Sequence, residues 1–147
     1  LAAARRAVRV VVDPSVRTRV LPLGRPAHVV EFAPPRNLAI GPETPWGIAG
    51  PLTDLLPGTT TARYAEDDVP ADPTTGAAGR PVVLVVRDLH RYDWMRAAVA
   101  RALAVRPDAV VVELGVPELV TGAVHVATHG ATRAAARAAA ELLTGAR

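Results

Sequence analysis

The sequence predicts an α/β domain: a three-layer sandwich with a mostly parallel sheet and helices on both faces. Three observations carry this. Pro81–Val86 and Ala109–Leu114 are short, apolar but for Glu113, and without alternation, as expected of strands covered on both sides. Between them, Trp94, Met95, Ala98, Val99, Ala102 and Leu103 recur at helical spacing, with Arg96 and Arg101 off the stripe. The order strand, helix, strand then repeats to the end of the chain, which is the pattern of a layered α/β fold.

The elements follow in order. Ala7–Val12 is a short β-branched run ended by Asp13-Pro14 and reads as a strand. Ala27–Ala33 is a second strand, closed by Pro34-Pro35. The prolines and glycines of the next segment forbid regular structure for most of its length. Trp46–Leu56 has Ile48, Leu52, Leu55 and Leu56 at helical spacing, with Pro51 tolerated in the first turn and Pro57-Gly58 as the stop. Thr59–Ala65 alternates as a strand, and Glu66–Gly79 is a polar surface loop. Pro81–Val86 is a central strand, Tyr92–Val105 a helix, and Ala109–Leu114 its partner strand, brought alongside by a right-handed crossover. Ala123–Thr128 is the last strand. Thr132–Thr144 is an alanine-rich helix with Thr132 as its cap and Gly145 as its stop.

Composition excludes several chemistries. The 147 residues suffice for one domain with a core, and half of them are hydrophobic. There is no cysteine, so no disulfide, thiol nucleophile or Cys-ligated zinc is available. All 17 basic residues are arginine; without lysine there is no Walker phosphate loop and no Schiff base. Ser15 is the only serine and lies outside any nucleophile elbow. The arginines are scattered rather than clustered, which argues against nucleic acid as a partner. No apolar run approaches the ~18 residues of a membrane span. No targeting segment is visible, and neither a cytoplasmic nor a secreted location is favoured. No cofactor is expected.

Polar groups gather where ligands gather in parallel sheets, at the carboxyl ends of strands. Asp88, His90, Glu113 and His129 are the candidate substrate-binding residues on this ground. Their plainer reading stands beside it: Asp88 as a helix cap, His90 as a surface residue, Glu113 paired with an arginine. Asp88 and Glu113 could also be imagined as a glycosidase carboxylate pair, but sequence spacing does not fix their separation. His125 and His129 have the i, i+4 spacing of helical metal ligands. Here the segment reads as a strand, which would set them roughly 13 Å apart; no metal site is expected. Trp46 either staples its helix to the core or stacks on a sugar.

The run from Arg80 to Glu118, "RPVVLVVRDLHRYDWMRAAVARALAVRPDAVVVELGVPE", followed by "GAVHVATHGATRAAARAAAELLTG", resembles the carboxyl-terminal α/β domain of family-three glycoside hydrolases, closest to the actinobacterial β-N-acetylhexosaminidase type. "PPRNLAIGPETPWGIAGPLTDLLPGTT" is similar to the loop and helix before it in those enzymes. The resemblance covers Ala27 to Gly145. It implies a division into a linker and first strand (1–26) and the sandwich domain (27–147), with an amino-terminal barrel of the same parent protein as partner. In the hexosaminidase branch that barrel supplies the aspartate nucleophile and a His-Asp acid/base pair. None of those motifs is present, and a barrel of ~250 residues does not fit in this chain, so no catalytic residue carries over. The resemblance thus implies an accessory domain of an enzyme acting on β-linked N-acetylglucosamine-type glycosides, inactive by itself. A stand-alone carbohydrate-binding module or a homodimerisation module are the alternatives, the last because interdomain faces resemble protein interfaces.

Overall fold

The computed structural model describes residues 1–35 and 47–146. It contains helices α1 (Ala2–Ala7), α2 (Ala49–Leu55), α3 (Asp93–Val105) and α4 (Arg133–Thr144), and strands β1 (Arg9–Val12), β2 (His28–Phe32), β3 (Thr60–Tyr64), β4 (Val82–Val86), β5 (Val110–Glu113) and β6 (Val124–Ala127). One six-stranded sheet runs β1-β6-β5-β4-β2-β3. All neighbours are parallel except β1, which is antiparallel to β6. This is the expected α/β sandwich.

Side-chain alternation divides the core into two layers. Val29, Val83, Val85, Val112 and Val126 pack under α2 and α4 through Ile48, Leu52, Ala139 and Leu143. Val30, Phe32, Leu84, Val86 and Val111 point the other way, onto Met95, Ala98, Val99 and Ala102 of α3. β4 is therefore buried at every residue, which is why it reads as an unbroken apolar run. The α3 crossover puts β4 and β5 side by side, in the register Val83↔Val110 to Val86↔Glu113.

α4 lies close to the sheet because Ala135, Ala136, Ala138, Ala139 and Ala140 are its buried residues together with Glu141 and Leu143. Its amino end is capped as expected: the Thr132 hydroxyl accepts from the Ala135 amide at 3.1 Å. Gly145 ends it at φ 70°.

At the amino terminus, residues 2–7 form α1, so Ala7 belongs to a helix rather than to the strand expected from Ala7 onward. Ala4 packs against the α4 layer. Arg5 donates to Glu141 at 2.7 and 3.0 Å, and Arg137 adds a bond at 3.1 Å. These two guanidinium groups hold the Glu141 carboxyl down at about 2. Trp46 lies outside the described residues; the helix expected from there begins at Ala49, with Ile48 as its N-cap.

Candidate functional site

Glu113 is the last residue of β5 and is 1% exposed. Its carboxylate faces the two connections that leave β4 and β5. Oε1 accepts from the backbone N–H of Asp88 at 2.8 Å and of Gly115 at 2.6 Å; Oε2 accepts from Leu89 at 3.1 Å. Its main-chain oxygen accepts from the Thr128 amide at 3.0 Å. One residue thereby fastens the ends of β4, β5 and β6. Among the described residues no arginine hydrogen-bonds to it, so the expected alternative of an Arg partner gives way to backbone amides. A buried carboxylate needs such donors, and amides at the mouth of a parallel sheet are available without another charge.

Asp88 follows β4 in the left-handed region, φ 53° and ψ 48°. Aspartate tolerates that conformation better than most residues. Its Oδ1 accepts from Val116 N–H at 2.9 Å. It makes no side-chain cap to the following turn or to α3, contrary to the capping alternative. Asp88 and Glu113 are clasped together: the Asp88 amide donates to the Glu113 carboxylate, and the Asp88 carboxylate accepts from Val116, beyond Glu113. Gly115 is essential to this approach, since a Cβ there would fall 2.1 Å from Asp88 Oδ1 and 2.7 Å from its backbone nitrogen.

His90 sits in a single 3-10 turn, Leu89–Arg91. It is half-buried, with Nε2 3.7 Å from the Glu118 carboxylate. Its Nδ1 is buried without a hydrogen-bond partner among the described residues. His129 leaves β6 at φ 57° and is exposed. Thr128 sets that turn by donating to the Gly130 carbonyl at 2.8 Å. All four candidates therefore lie at the carboxyl ends of three adjacent strands. The structure joins Asp88 to Glu113 directly, ties His90 to the β5–β6 connection through Glu118, and turns His129 outward. His125 lies inside β6 with its ring against Thr121, so its spacing to His129 is not helical. Burial lowers its pKa. No three His, Asp or Glu side chains among the described residues could hold a metal ion.

Glu31 is a residue the sequence reading missed. It lies near the carboxyl end of β2, 5% exposed, and its Oε1 accepts from the amides of Ile48 at 3.0 Å and Ala49 at 3.1 Å. Arg63 on β3 stands 3.7 Å away. Burial pushes its pKa up, with the two amides and Arg63 opposing. The available signal was a lone acid inside the apolar run "AHVVEFA".

At the opposite, amino ends of the strands, the β1–β2 connection borders a groove of about 1020 Å³ with Arg17, Arg19, Arg25 and Asp108 on its walls. None of the four candidates lines it.

No family model matches the sequence, and no curated protein matches it significantly. Solved structures do match in three dimensions. A fungal multi-domain GH3 β-N-acetylglucosaminidase that carries a GCN5-related glucosamine N-acetyltransferase region aligns over 98% of this chain, at TM-score 0.72 and 16% identity. A glycoside hydrolase family 3 β-N-acetylglucosaminidase from Paenibacillus sp. str. FPU-7 aligns over 99%, at 0.65 and 21%. CbsA from Thermotoga neapolitana aligns over 98%, at 0.56 and 18%. The fold is shared with part of each of these proteins. The chain spans 17% of the fungal protein and 29% of each of the other two. At these identities the likeness establishes the α/β fold of the chain.

Proposed function

We propose that this chain is the accessory carboxyl-terminal α/β domain of a family-three glycoside hydrolase acting on β-linked N-acetylglucosamine-type glycosides, and that its catalytic residues lie in a barrel domain of the same parent protein. The observation that carries this reading is the alignment of almost the whole chain with a minor part of two larger β-N-acetylglucosaminidases. The site chemistry agrees with it. Both oxygens of Glu113 already accept backbone amides, and Asp88 Oδ1 accepts another. A general acid or nucleophile must instead face the scissile bond across open space. The carboxyl-end loops then serve as a rigid rim, with His129 and His90 as the side chains that reach toward sugar.

Two measurements test this on the 147-residue chain. Incubation with 4-nitrophenyl N-acetyl-β-glucosaminide should release no nitrophenol above the buffer rate. Turnover that disappears in Glu113→Gln would overturn the proposal.

A second reading is a stand-alone carbohydrate-binding module, favoured by the exposed His129 held in a left-handed turn. It predicts saturable shifts of the His90 and His129 ring resonances on titration with N-acetylglucosamine. The accessory-domain reading predicts none with the chain alone, because the sugar pocket is completed by the barrel.

A further inference from the structure

β1 ends the sheet, and every residue in it is exposed: Val10 by 41%, Val11 by 47% and Val12 by 55%. Exposed edge strands are ordinarily blunted by charge, proline or a bulge, because their free backbone groups invite another strand. Here three consecutive valines occupy the edge, with Arg9 before them and Asp13-Pro14 after.

The direction of the free backbone groups follows from the β1–β6 ladder. Asp13 N–H donates to the Ala123 carbonyl at 3.0 Å, and the register runs Arg9↔Ala127 to Val12↔Val124. Residues that exchange bonds alternate along an antiparallel ladder. Arg9, Val11 and Asp13 therefore direct their backbone groups to β6, while Val10 and Val12 direct theirs to the open side.

We propose that this edge pairs with β1 of a second copy of the chain, antiparallel, across a two-fold axis through Val11. In that register Val10 exchanges both backbone bonds with Val12 of the partner subunit, and Val12 with Val10 of the partner subunit. Arg9 stands opposite Asp13 of the partner subunit in a non-hydrogen-bonded pair, the kind that brings side chains closest. Two such ion pairs close the ends. The Arg9 guanidinium donates to the Arg6 and Val8 carbonyls through Nη1 and keeps further N–H groups for a carboxylate.

Slipped registers lack this fit. Centring on Val12 sets Val10 against Pro14, which has no N–H to give. Centring on Val10 sets Val12 against Val8, whose N–H is already bonded to the Ala4 carbonyl at 3.2 Å. The result of the favoured register is one sheet continuous through both subunits. Nothing in this inference depends on the glycosidase reading.

Sedimentation equilibrium of the 147-residue chain is the test. Wild type should form dimers at high concentration that dissociate on dilution. Arg9→Asp and Asp13→Arg should each weaken association by about ten-fold, because two attractive pairs become two like-charge contacts, and the double variant should recover it. Val10→Pro removes an outward N–H and keeps the bonds to β6; it should give monomers with an unchanged circular dichroism spectrum. As a check independent of folding defects, Val11→Cys provides the only cysteine in the chain. Directly opposed residues of a non-hydrogen-bonded pair lie about 4.5 Å apart at Cα, within disulfide range. That variant should crosslink on oxidation, and Val10→Cys should not. A wild type that stays monomeric throughout, a double variant that fails to recover, or a Val11→Cys chain that does not crosslink would overturn the proposal.

Discussion

Glu113 and Glu31 occupy equivalent places in the fold and are satisfied differently. Each is a buried glutamate at the carboxyl end of a parallel strand, and each accepts backbone amides from a following connection. Glu113 takes three amides from two connections. Among the described residues Glu31 takes two from one, with Arg63 at 3.7 Å as a supporting charge. Burial raises the pKa of Glu31. The difference teaches that two carboxylates of similar burial can be satisfied in two ways, one by amides that tie several strand ends together and one by a single connection with a supporting charge.

The comparison is sharpest under truncation. Glu113→Ala leaves three amides, that of Leu89 buried and those of Asp88 and Gly115 partly so, without their acceptor, and bonds to charged groups contribute about 1.5–3 kcal/mol each. A loss of about 3 kcal/mol or more is expected in urea unfolding. Glu31→Ala leaves the Ile48 and Ala49 amides without their acceptor but also relieves a buried charge, so its cost at neutral pH should be smaller, about 1–2 kcal/mol. Equal losses for the two substitutions would dissolve the distinction.

Next in size are the glycines pressed against the two carboxylates. A Cβ at Gly115 meets the Asp88 side chain and backbone, and one at Gly47 (φ 104°) meets the Glu31 carboxylate at 2.1 Å. Gly115→Ala should destabilise by about 2 kcal/mol, within the usual range for overpacking. Gly47→Ala should also destabilise, through its positive φ as well as the contact. Selective rescue of Gly47→Ala by Glu31→Ala, which removes the obstructing carboxylate, would separate contact from backbone strain.

The smallest effect is a pH dependence, read as the urea midpoint from pH 7 down to about 2. Glu31 has a folded pKa above its ordinary 4.5, so its protonated form favours the fold; stability is highest below 4.5 and declines as pH rises through the folded value. Glu141 behaves oppositely. Its folded pKa of about 2 lies below 4.5, so its contribution is complete above 4.5 and is lost as pH falls toward 2. Glu31→Gln should flatten the upper limb and Glu141→Gln the lower one. A lower limb unchanged by Glu141→Gln would detach α1 and its Arg5 contact from acid stability.

Much of the frame was legible because the sequence punctuates it. Asp13-Pro14, Pro57-Gly58, Pro107-Asp108 and Gly145 stand at the element ends, and two-sided burial turns β4 and β5 into unbroken valine-rich runs. The candidates at the strand ends were placed by topology alone. What their side chains do was not legible: a carboxylate's choice between an arginine, a helix end and a set of amides depends on backbone directions that spacing does not encode. Glu31 escaped notice because strand alternation hid a polar residue among apolar neighbours. α1 escaped because Ala2–Ala7 is too short to show a helical stripe, and its anchor, Glu141, lies 136 residues away from Arg5.

The Glu113 knot grips main chain rather than side chains. Exposed positions beside it, such as His129, can therefore be exchanged without touching those bonds, so the rim of this sheet can acquire new surface chemistry while its skeleton stays unchanged.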